Sequence, residues 1–237
     1  METPILSDYL NDKNRALYEE VSKEFEILIE FSNEEYYSVY TEGDKAIIYV
    51  SKWPCKASFT HELLHIWLLK MGFSITSKLK YDFINDDILA TVYPRAMLDY
   101  VGNILEHVKF LPIYLKMGFG LKDFLYTFDT PVCTLKEIQW IKTSLEYPIL
   151  WKTAAEHFIG NFFAVRANVN AKLNYDDCLL FLKATDDDLY CILEQFYVEW
   201  EKLDLYTMSS PRFTILYYKL IDDIKEWTLK KSQSIAA

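Results

Sequence analysis

His61-Glu62-Leu63-Leu64-His65 is the segment of this chain whose residue types and spacing specify a chemistry. On an α-helix, two histidines four apart project from one face about one turn apart, so both imidazoles can reach a single metal ion. A glutamate beside the first histidine can hold a water next to that ion and accept its proton. The flanks point to a buried helix: between Phe59 and Leu69 the only acidic or basic residue, histidines aside, is Glu62. A solvated helix would carry charges on its outer face every third or fourth residue. The competing interpretation is a core helix whose histidines are satisfied by hydrogen bonds. Burying two histidines and a glutamate with no common partner costs on the order of several kcal/mol, which favours the metal.

A catalytic zinc takes three protein ligands and keeps a fourth position open, so a third ligand must come from outside the motif. Asn103, Glu106 and His107 stand at i, i+3 and i+4 of an apolar stretch and share one helix face. His107 would complete a three-histidine site, and Glu106 would make a two-histidine, one-glutamate site. Both cannot bind easily from adjacent positions about 100° apart. The member of the pair that does not bind can orient a ligand or line the cleft, and Asn103 is a supporting residue beside them. Glu156-His157, with Asn161 four residues after the histidine, is a second segment, but its neighbours Phe158, Phe162 and Phe163 mark it as core or ordinary surface. Tyr100 and Tyr114 are the tyrosines nearest the 103–107 segment that could steady an oxyanion. Cys55, six residues before His61, is expected to pack.

The elements that must hold these residues follow from periodicity. Residues 12–24 form an amphipathic helix with Leu17, Val21 and Phe25 spaced by four. Residues 26–31 have strand composition. Residues 36–40 and 46–50 then form a hairpin around Glu42-Gly43-Asp44-Lys45, where Gly-Asp supplies positive-φ turn residues. The motif helix follows directly, and the strand beside it could offer its backbone edge to an extended peptide. Leu69-Lys70-Met71-Gly72-Phe73 ends the helix, and the same five residues recur at 115–119, each a glycine stop followed by a hydrophobe. Residues 94–109 make the next helix, opened by Pro94. From 134 onward the chain reads as helix: 134–146, 149–169, a broken 176–202, and 211–231. This is an α+β pattern: a small antiparallel or mixed sheet packed on the motif helix, then a mainly helical part. The expected division is a catalytic region over 1–125 and a helical extension over 126–237, or one compact domain.

Composition narrows the partners. Thirty-five acidic against 25 basic residues give a net charge of −10, a poor match for nucleic acid or anionic membranes. No apolar run reaches membrane-span length. The start Met1-Glu2-Thr3-Pro4 lacks a basic, apolar leader. Cys55, Cys133, Cys178 and Cys191 form no paired CxxC pattern and are expected to be reduced thiols of a cytoplasmic protein.

Thr60-His61-Glu62-Leu63-Leu64-His65-Ile66 resembles the zincin superfamily of metallopeptidases. The likeness includes the uncharged middle positions and the hydrophobe after the second histidine. It is also similar to small bacterial intracellular proteins in which a following helix reads Asn-x-x-x-His or Asn-x-x-Glu, here Asn103 with His107 or Glu106. The glycine and close third histidine of metzincins are absent, so a gluzincin-like or minimal zincin arrangement is the nearer analogy. The resemblance spans about residues 26–120. It implies Zn2+ held by His61 and His65, Glu62 as general base, and a peptide or protein substrate. A non-catalytic interaction or regulatory protein on the same fold is the alternative.

Overall fold

The computed structural model describes residues 3–125, 128–205 and 211–236. Its architecture is α+β, with one three-stranded mixed sheet and otherwise helices. The chain divides into two compact units, one of residues 1–73 and 109–129, the other of 74–108 and 130–237.

The first unit opens with two short helices, α1 (Leu6–Tyr9) and α2 (Arg15–Val21). Strands β1 (Glu26–Phe31), β2 (Ser38–Glu42) and β3 (Lys45–Val50) follow, in the order β1-β3-β2. The hairpin forms, but with a positive φ only at Gly43 (+59°) and not at Asp44, and β2 pairs antiparallel with β3 from Glu42↔Lys45 to Ser38↔Tyr49. The parallel pairing of β1 with β3 makes the sheet mixed and puts β3 at its centre. The strand nearest in sequence to the motif helix therefore has no free edge, and the open edges belong to β1 and β2. Period-two alternation decides the faces. Ala46, Ile48 and Val50 of β3 are fully buried, whereas Leu28 and Tyr40 on the other face are exposed.

Helix α3 (Lys56–Lys70) packs against β2, β3 and α2. Phe59 to Leu64 and Ile66 to Leu68 are all buried, so this helix is enclosed nearly all round rather than amphipathic. Its stop is of the Schellman kind: Gly72 has φ +75°, and Phe73 N donates to Leu68 O at 2.8 Å. Thr60 is held from the side by Asn14 Nδ2, which donates to its Oγ1 at 2.9 Å.

In the second unit, α4 (Ile75–Ile84) precedes α5 (Arg95–Lys116), a helix that continues past Pro112 into the first unit. Near its start α5 lies hard against the beginning of α4. A Cβ on Gly102 would stand 2.7 Å from Thr76 Cα, so only glycine fits. The rest is α6 (Leu135–Ser144), α7 (Trp151–Arg166), α8 (Asp176–Thr185), α9 (Asp187–Lys202) and α10 (Pro211–Ala236). Asp186 breaks the 176–202 stretch by capping α9, its side chain accepting from Leu189 N at 2.9 Å. Phe158, Phe162, Leu182, Leu193 and Trp200 form this unit's core, and α9 packs along α10.

Candidate functional site

Helix α3 presents His61 and His65 from one face, with ring centroids 5.1 Å apart. Phe110 of α5 stands edge-on to both, 5.2 Å from His61 and 4.8 Å from His65. His107 lies three residues before Phe110 on the same helix and so shares its face. One ring nitrogen from each of His61, His65 and His107 lies within 4.8 Å of the others. Three nitrogens bound tetrahedrally at about 2.0–2.1 Å from a zinc ion would be about 3.3–3.4 Å apart, a contraction that side-chain torsions can supply. Three imidazoles are a fitting donor set for such an ion.

Glu106 is engaged elsewhere. Its Oε1 accepts from Thr76 Oγ1 at 2.6 Å and from Thr76 N at 3.4 Å, holding the first turn of α4. Of the two candidate third ligands, the structure brings His107, not Glu106, to the histidine pair. Asn103, one turn before His107, is exposed. His157 is exposed on α7 and rests edge-on against Trp140 at 5.2 Å, a surface histidine apart from the cluster. Cys55 precedes α3 and accepts from Ser58 Oγ at 3.2 Å, while its backbone N donates to Tyr37 Oη at 2.8 Å. It packs and braces, as expected.

Burial sets the electrostatics. His61 is 9% exposed; its desolvation, with the charge of His65 second, holds it well below the usual imidazole value, while a hydrogen bond to the Phe124 backbone opposes the shift. A neutral imidazole is the form that binds a metal. Glu62 is 7% exposed, and burial pushes its carboxyl up to about 7 against the opposing pull of His65. A carboxyl near 7 exchanges a proton readily at neutral pH.

The wall of the site was not foreseen in the sequence. Phe124 stacks obliquely on His61 at 4.8 Å and touches Phe110 at 5.6 Å. Tyr114 packs on Phe124 at 5.1 Å; it is fully buried, and its hydroxyl has no hydrogen-bond partner among the described residues. Phe110 could have been found from its i+3 spacing to His107. Phe124 follows the short 3-10 turn Leu121–Asp123, where no periodicity marks it. Tyr100 is 46% exposed and sits beside Gly160 in the second unit. No family model, curated protein or solved structure matches this chain.

Proposed function

We propose that this chain is a zinc-dependent hydrolase acting on peptide bonds, with His61, His65 and His107 as metal ligands and Glu62 as general base. The observation that carries the proposal is the convergence of three imidazoles beside a buried glutamate next in sequence to the first of them. Zinc held there supplies Lewis acidity, polarising a carbonyl and making water nucleophilic near neutral pH. Glu62 takes the proton of the attacking water and delivers it to the leaving amine. Phe110 and Phe124 hold the His61 ring and exclude water from its flank. The open edge of β2, the strand of the pair on α3, is the place where an extended peptide can add its own strand. The net charge of −10 disfavours nucleic acid, and no helix among the described residues is long and apolar enough to cross a membrane.

The test separates binding from turnover. Protein purified without added zinc is expected to carry about one zinc per chain, lost in His61→Ala. Glu62→Gln is expected to keep the metal and lose cleavage of a peptide library by roughly a hundredfold or more. Less than about half a zinc per chain, unchanged by His61→Ala, would favour the non-catalytic alternative. Full turnover in Glu62→Gln would remove Glu62 from the mechanism.

A further inference from the structure

The second unit holds two of the four cysteines side by side. Cys133 immediately precedes α6, and Cys178 sits in the first turn of α8, 45 positions later. The Cys178 thiol donates to the Cys133 carbonyl oxygen at 4.0 Å, and each cysteine is close enough to shift the other's thiol. Both are buried, at 4% and 6% exposure.

The backbones that carry them are fixed. Thr134, next to Cys133, forms a capping box with Glu137: Thr134 N donates to Glu137 Oε2 at 2.7 Å and Glu137 N to Thr134 Oγ1 at 3.3 Å. Val132 N, on the other side of Cys133, donates at 2.9 Å to the hydroxyl of Tyr175, the residue that precedes α8. The two segments are thus tied together one residue from Cys133 and three residues from Cys178. A disulfide needs Cβ atoms about 3.5–4.5 Å apart, and a Cys178 thiol already against the Cys133 backbone, on anchored segments, is placed for that approach. The other two cysteines have no such partner: Cys191 is exposed and contacts Asp187, and Cys55 belongs to the first unit.

We propose that Cys133 and Cys178 form an oxidation site that closes into an intramolecular disulfide joining the start of α6 to α8, with a hydroperoxide as oxidant. In the first step the Cys178 thiolate attacks a peroxide oxygen; the O–O bond breaks, leaving a sulfenic acid on Cys178 and releasing hydroxide. In the second, the Cys133 thiolate attacks that sulfur, the S–S bond forms, and a second hydroxide departs. The two protons from the thiols neutralise the two hydroxides, so one hydrogen peroxide is reduced to two waters as two thiols are oxidised. Burial and the neighbouring Asp177 raise the Cys178 thiol as well, but the side chain of Cys133 and the first turn of α8 oppose that shift, so Cys178 is the first nucleophile of the two. Burial pushes the Cys133 thiol up to about 12 and slows the chemistry. Proximity then decides the product, because the resolving thiol reaches the sulfenic acid before a second peroxide does.

The test needs no metal and no substrate. The full chain carrying Cys55→Ser and Cys191→Ser is treated with hydrogen peroxide, denatured, alkylated and mapped without reduction. The expected result is a linked Cys133–Cys178 peptide with the loss of two hydrogens. A rise in Tm of roughly 5 °C that dithiothreitol reverses should accompany it. Cys133→Ser in the same background is expected to abolish both changes. Recovery of both cysteines as alkylated thiols, after exposure that fully oxidises Cys191 in the unsubstituted chain, would overturn the proposal. So would over-oxidised Cys178 without a bridge. If Cys133→Ser does not fold, the peptide map alone still decides.

Discussion

Replacing His107 by alanine and, separately, Glu106 by glutamine separates two side chains that neighbour each other in sequence and do different work. Structural zinc binding is worth about 10–16 kcal/mol over four ligands, so removing one imidazole of three protein ligands should cost roughly 3–4 kcal/mol, a loss of about two to three orders of magnitude in affinity. Glu106 contributes no atom to the histidine cluster and instead accepts from Thr76 at 2.6 Å. Glutamine keeps an acceptor there but loses the charge, a loss of roughly 1 kcal/mol, or about 2–4 °C in Tm for a chain of this size. Competition titration against a chromophoric zinc chelator reads the first quantity, and calorimetry of the metal-free protein reads the second. The expected pattern is crossed: His107→Ala loses zinc with little change in the metal-free Tm, and Glu106→Gln loses Tm but keeps its zinc. If Glu106→Gln released the metal while His107→Ala retained it, the assignment of the third ligand would be wrong, and with it the account of why α4 begins where it does.

Other substitutions probe the supports. Gly102→Ala should destabilise the protein by roughly 2–3 kcal/mol, because the new methyl would meet the Thr76 backbone Cα as well as its short, branched side chain, which cannot swing clear; urea denaturation measures it, and a loss under about 0.5 kcal/mol would mean that α4 moves aside freely. Tyr114→Phe removes a buried hydroxyl with no partner among the described residues and is expected to raise stability by about 1 kcal/mol. A fall in Tm would show that the hydroxyl holds something. Asp86 pairs with Lys225 at 2.6 Å; burial tends to raise its carboxyl, but Lys225 and the Leu89 and Ile88 amides outweigh it and hold the group below its ordinary 3.8. A depressed carboxylate stabilises the fold above the unfolded value and loses that contribution as pH falls through the folded one. The Tm gap between the natural chain and Asp86→Asn should therefore be present at pH 7 and close as pH is lowered past 3.8; a gap that widened on acidification would reverse the sign of the argument.

What the sequence made legible was local. The hairpin was readable because Gly43 supplies the positive φ of a tight turn, although Asp44, expected to share it, does not; the 176–202 stretch was read as broken, but the place of the break, at the capping Asp186, was not. The parallel partnership of β1 with β3 was not, because it joins segments separated by the whole hairpin and no residue of β1 encodes which neighbour it takes. Helix α4 went unread because Ile75-Thr76-Ser77-Lys78 looks like a loop, although its Ile75, Leu79 and Phe83 are buried four apart. The 94–109 helix was ended too early, since Pro112 lies inside the helix that runs on to Lys116. That extension carries Phe110 and Tyr114, two of the three aromatic residues of the site's wall. The same pattern governs the metal cluster. His61 and His65 were evident because one helix holds both, whereas the choice between Glu106 and His107 turned on Thr76, a residue of the helix that was missed.

Gly102 gives α5 the property of a keyed shaft. With α4 seated in the notch where a side chain would be, and Glu106 clasping Thr76 one turn further on, the helix has a single rotational setting about its own axis. The donor offered at 107 cannot be exchanged for the one at 106 by turning the helix through a quarter revolution. Drift in the proposed ligand set has to proceed by replacing the residue at 107 itself, and a glutamate there would have to approach His61 and His65 from the bearing that His107 now occupies.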